Sequence, residues 1–119
     1  MPIIGPALHR VLDFVTVVVF TVAPSIFGLN GFPAILAYTL AGVHLGMTLL
    51  TQFSPTDHRL VPLSLHSAVE ALVGVALILL PILLHWSGTP RLFVMAAGAV
   101  ILVVWGLSRY PLARSEATP

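Results

Sequence analysis

Residues 63–85 read LSLHSAVEALVGVALILLPILLH. A helix needs roughly 20 apolar residues, at about 1.5 Å each, to cross a bilayer core, and this run is long enough. It lacks the alternation of apolar and polar residues that a transmembrane strand of about 10 residues requires. In lipid the backbone must satisfy its own hydrogen bonds, so the run is read as a membrane helix. Of its three ionisable groups His85 ends the run, and His66 and Glu70 are four positions apart and share one helix face.

Working outward, three further runs are long enough to span: residues 7–27, 34–53 and 91–108. The stretches between them, 28–33, 54–62 and 86–90, are rich in Gly, Pro, Ser, Asn and Asp, which break helices and form turns. The expected fold class is all-α, a four-transmembrane-helix bundle over residues 1–111 with a polar C-terminal tail at 112–119. Composition agrees. Hydrophobic residues make up 58% of the 119-residue chain and charged residues 8%, against about 25% charged in a soluble domain. Five Arg, no Lys and four acids cannot cover a water-facing surface, and this excludes a soluble enzyme, a nucleic-acid binder and a disordered tail. The absence of cysteine removes disulfides, thiol chemistry and Cys-ligated metal.

The chain repeats itself at an offset of 57. Leu8-His9 falls on Leu65-His66, Asp13 on Glu70, Pro24 on Pro81, and Gly31-x-Pro33 on Gly88-x-Pro90. Apolar coincidences are cheap in this composition, so the sparse residues carry the information. Each half (about 7–53 and 64–110) reads as a helical hairpin: His-x-x-x-acid near the start, a late proline, a Gly-x-Pro turn and a second helix. The first segment has some marks of a signal peptide, with Arg10 before an apolar run and Ala23 and Ser25 as small residues. Asp13 interrupts that run, Pro24 sits where cleavage would fall, and the repeat makes the segment the counterpart of residues 63–85. It is expected to be retained.

These residues resemble the Ser-Pro-Trp (SPW) repeat family of bacterial membrane proteins. His9-Arg10-Val11-Leu12-Asp13-Phe14 followed by Ala23-Pro24-Ser25-Ile26-Phe27-Gly28 is similar to its first copy, and His66-Ser67-Ala68-Val69-Glu70 with Leu80-Pro81-Ile82 to its second. The name-giving triplet keeps just its proline in both copies, and Glu70 stands where the family has Asp. The resemblance implies a bacterial inner-membrane protein and a fold, not a reaction.

Arginine placement sets an expected orientation. Four spans put Arg10, Arg59, Arg109 and Arg114 on one side and Arg91 on the other; basic residues stay cytoplasmic, so both termini are expected inside. Two spans per repeat give the halves the same polarity, related by a pseudo-twofold axis along the membrane normal. Trp86 and Phe32 then belong to the outer interface and Tyr110 to the inner one. His58, between Asp57 and Arg59, reads as a solvated loop cluster, and His85-Trp86 as an interfacial anchor.

The intramembrane polar residues are the candidates for chemistry. His9/Asp13 and His66/Glu70 have i, i+4 spacing, and each histidine is expected to neutralise its own acid while pinning the hairpins together. The functional alternative is that both pairs face across the pseudo-twofold to bind a divalent metal or pass a proton. His44 stands alone at mid-span within Gly42-Val43-His44-Leu45-Gly46. It is expected to hydrogen-bond across a close helix crossing made by Gly42 and Gly46; the alternative is ligation of a haem or chlorophyll-type ring. No cofactor or metal is expected, and with no phosphate-cradling loop or catalytic triad spacing, catalysis is not expected either. The preferred function is a structural or accessory subunit in contact with membrane lipids and with other integral membrane subunits or itself; a respiratory or photosynthetic assembly would be a natural host. A tetrapyrrole-binding subunit and a small transporter or proton-handling protein are the alternatives.

Overall fold

The structure, a computed structural model, describes residues 3–52 and 60–108. It is a four-helix bundle: α1 Pro6–Phe27, α2 Gly31–Leu50, α3 Leu63–Leu83 and α4 Gly88–Leu107. All four are long and apolar enough to cross a membrane. His58, Arg59, Arg109, Tyr110, Arg114 and the tail at 112–119 lie outside the described residues.

α2 and α4 start three residues earlier than the turn-forming residues suggest, whereas α3 starts at Leu63 as expected and α2 ends at Leu50, three residues early. Pro33 and Pro90 lie in the first turns of α2 and α4 and not in the loops. A first-turn N–H has no partner inside a helix, so proline sacrifices no helical bond there. Gly31 and Gly88, at φ 59° and 65°, swing the chain into those first turns. Pro24 and Pro81 sit inside α1 and α3, close to their ends. There Leu29 N–H donates to Pro24 C=O at 3.0 Å, and Trp86 N–H to Pro81 C=O at 2.9 Å. In both turns one residue takes the left-handed conformation, Gly28 at φ 64° and His85 at φ 57°. These contacts recur at the 57-residue offset seen in the sequence.

At the other end, short parallel backbone pairings join the end of one hairpin to the start of the other. Thr51 pairs with Val61, and Ser108 with Ile4, again 57 positions apart in each strand. The starts of α1 and α3 and the ends of α2 and α4 are thereby gathered together.

Burial is arranged the reverse of a soluble protein's. Leu72, Leu83 and Leu92 are each 70% or more exposed, whereas His9, Asp13, Thr48, Thr51, His66 and Glu70 are at most 5% exposed. Large apolar side chains pointing outward and polar ones inward suit a solvent of lipid, where a charged outward face is costly. A small apolar core, including Phe20, Ala37, Leu40, Leu77 and Ile101, occupies the middle.

The close crossing within the chain is at Gly74 and Gly98, not at Gly42 and Gly46. A Cβ placed on Gly98 would lie 2.8 Å from the Gly74 carbonyl oxygen and 2.9 Å from Leu77 Cβ. One placed on Gly42 or Gly46 would meet nothing within 4 Å. Gly42 faces outward because the buried face of α2 runs through Ala37, Ala41, His44 and Thr48.

Candidate functional site

Four ionisable side chains meet near the end of the bundle where α1 and α3 begin. His9 and His66 stand in the first turns of these helices, and Asp13 and Glu70 follow one turn further in. Four-residue spacing keeps each pair on one face, and packing turns both faces inward: all four residues are 5% exposed or less.

The pairing is crossed. His9 Nε2 lies 2.9 Å from Glu70 Oε2 but 3.3 Å from Asp13 Oδ1. His66 Nε2 lies 3.0 Å from Asp13 Oδ2 but 3.5 Å from Glu70 Oε2. Each histidine therefore lies closest to the other half's acid while keeping its own at 3.3 or 3.5 Å, so the expected i, i+4 pairs are present and the crossed contacts add to them. The physical reason is the packing of α1 and α3 at this end, which brings the two imidazoles edge to face with centroids 5.7 Å apart. Each Nε2 then points past its own helix toward the opposite carboxylate. Asp13 Oδ2 is buried and makes no hydrogen bond of full geometry among the described residues, despite its short approach to His66.

Two hydroxyls complete the site. Ser108 Oγ is 2.6 Å from His9 Nδ1 and donates its proton to Val104 C=O. Thr51 Oγ1 is 2.7 Å from His66 Nδ1 and donates its proton to Met47 C=O. With each hydroxyl proton committed to a backbone carbonyl, the oxygen can serve the imidazole as acceptor alone. Nδ1 therefore carries a proton in both rings, and Nε2 is the atom turned toward the carboxylates. Sequence reasoning missed Thr51 and Ser108. The repeat held the signal, since Thr51 falls on Ser108 at the same offset of 57.

His44 lies deeper and borders this cluster, lining one small recess together with His66 and Glu70. It is buried, its Nδ1–H donates to Leu40 C=O at 3.2 Å, and its ring tilts against Phe20 with centroids 5.7 Å apart. The expected bond across to another helix is replaced by one to the preceding turn, whose carbonyl lies on the same face. An apolar recess of about 320 Å³ opens between α1 and α4, lined by Leu12, Thr16, Phe20, Phe93, Val100 and Ile101, and not by His44. The corresponding place between α2 and α3, bounded by His44, Met47, His66, Val69, Glu70 and Val73, has room for about 10 Å³. His44 and Met47 there take the positions that Ile101 and Val104 hold in the second half.

Compared with known proteins, the chain matches no family model, no curated protein and no solved structure. Four apolar helices fit a small integral membrane protein.

Proposed function

We propose that the protein is a structural or accessory subunit of a larger membrane assembly, without catalytic activity of its own, and that the crossed His–carboxylate cluster is the clasp that holds its two hairpins together. The observation that carries this reading is the engagement of His9 with Glu70 and of His66 with Asp13. The side chains best suited to chemistry are buried and face one another, while the outward surface is apolar. Lipid, a second copy or other membrane subunits are the natural neighbours of such a surface.

The recurrence of backbone turns, pairings and side-chain bonds at one offset supports two hairpin repeats of the same polarity about an axis through the cluster. In this reading the chain belongs to the SPW repeat class and lies in a bacterial inner membrane. The cluster end, with Arg10 beside it, faces the cytoplasm, and Arg91, at the start of α4, faces outside.

Native mass measurement after extraction in mild detergent tests the role: a particle heavier than one chain is expected. A particle of single-chain mass under every mild condition overturns it. An absorbance spectrum of the same material tests the tetrapyrrole alternative, which requires a Soret-type band and ligation through His44.

A further inference from the structure

We propose that His9, Asp13, His66 and Glu70 form a buried site for one divalent first-row transition metal ion, held by two imidazole nitrogens and two carboxylate oxygens. The inference deepens the clasp reading, since the same four side chains join the hairpins with or without the ion.

Geometry is the first argument. One ligand atom from each of the four side chains can be chosen so that all lie within 4.8 Å of one another. Zinc–nitrogen and zinc–oxygen bonds of about 2.0–2.2 Å in a tetrahedron place neighbouring ligand atoms about 3.3–3.6 Å apart. With Glu70 Oε2 and Asp13 Oδ2 as the oxygens, three nitrogen–oxygen separations are 2.9, 3.0 and 3.5 Å, and Asp13 turns its other oxygen, Oδ1, to His9 Nε2 at 3.3 Å. Small movements of side chains already in place would admit the ion.

The hydroxyls supply the second argument. A metal-binding imidazole usually donates its other N–H to an oxygen that fixes its tautomer and orientation. Ser108 and Thr51 perform that service for His9 and His66, from oxygens that are themselves tied to α4 and α2. Both Nε2 atoms are thereby aimed at the centre. Asp13 Oδ2, 2% exposed as a residue and lacking a hydrogen bond of full geometry, is aimed there too.

Charge gives the third. Without metal, the cluster is neutral when it holds two protons beyond the two on Nδ1. A dication entering between neutral imidazoles and two carboxylates displaces those two protons to water, and the buried charge stays at zero. Two nitrogen donors favour zinc, iron, cobalt or nickel over magnesium or calcium, which take oxygen ligands. The site lies within about two turns of the helix starts, so the path from the aqueous face is short.

The test uses the full chain in detergent, purified through a tag free of histidine. Elemental analysis is expected to find about one transition-metal ion per chain. After stripping with a chelator, Co²⁺ should restore one equivalent with the intense visible bands of tetrahedral coordination, and Mg²⁺ should not compete. Asp13→Asn should abolish those bands. Thr51→Val, which leaves all four ligands in place, should weaken Co²⁺ binding by about 10–100-fold. A folded wild-type chain that carries no metal and develops no Co²⁺ bands overturns the inference. The clasp reading fails separately, if Glu70→Ala melts as wild type does.

Discussion

His9 Nε2 lies nearer to Glu70, 61 positions away on α3, than to Asp13 on its own helix: 2.9 Å against 3.3 Å. The crossed contact turns a local i, i+4 pair into a tie between the two halves of the chain. Removing one member of a buried pair leaves the other desolvated, at a cost of about 3–5 kcal/mol. Glu70→Ala and His66→Ala should both lose stability on that scale in detergent unfolding. Glu70→Gln should lose less, because an amide still offers His9 a hydrogen-bond partner.

The crossing makes a sharper prediction about coupling. A double-mutant cycle on His9 and Glu70 should give an interaction energy toward the upper part of the usual range of about 0.5–3 kcal/mol. The cycle on His9 and Asp13 should give less, despite their shared helix face. The reverse order would return the bond to the local pair.

How far the sequence carries this site is set by its sparse residues. In a chain where most positions are apolar, the four spans follow from length and hydropathy, and the inward face from the cost of charge in lipid. His9, Asp13, His66 and Glu70 stand out for the same reason. What spacing along one helix cannot show is the rotation of α1 against α3, and that rotation decides which acid each imidazole meets. Thr51 and Ser108 were obscured because hydroxyl side chains often turn back to the carbonyl four residues earlier, and nothing local marks one that also receives an imidazole. The helix starts at Gly31 and Gly88 were obscured by prolines read as loop residues, although a first turn accepts proline.

His85 holds a φ of 57° where the first hairpin has Gly28 at 64°. A side chain with a Cβ in that conformation costs about 1–2 kcal/mol relative to an allowed one, and glycine is free of the penalty. His85→Gly should therefore raise thermal stability, while Gly28→Ala should lower it by about 1 kcal/mol. Calorimetry or denaturant unfolding of the two variants checks the pair; a destabilised His85→Gly would show that the imidazole makes contacts worth more than the strain.

The two glycine pairs should respond in opposite ways. Gly98→Ala would bring a methyl group within 2.8 Å of the Gly74 carbonyl oxygen, and forcing α3 and α4 apart should cost about 1–3 kcal/mol. Gly42→Ala meets open space and, in a helix interior, should gain about 0.5–1 kcal/mol within the isolated chain. If Gly42 and Gly46 form the seam with another subunit, Gly42→Ala should instead reduce the mass of the native particle while leaving the single chain stable.

The hydroxyl anchors offer the last prediction. Thr51→Val keeps the shape of the side chain and removes the oxygen that receives His66 Nδ1–H; Ser108→Ala does the same for His9. Each leaves a buried N–H without its acceptor, at a cost of about 1–3 kcal/mol. Because the two anchors correspond at the 57-residue offset, their penalties should be similar. The conservative exchanges Thr51→Ser and Ser108→Thr should restore most of the stability, since either hydroxyl can give its proton to the carbonyl four residues back and accept the imidazole N–H. Unfolding measurements on the four variants check both statements. Equal stability of Thr51→Val and wild type would mean that Nδ1 is not the protonated nitrogen of His66, and the orientation of Nε2 toward the carboxylates would lose its cause.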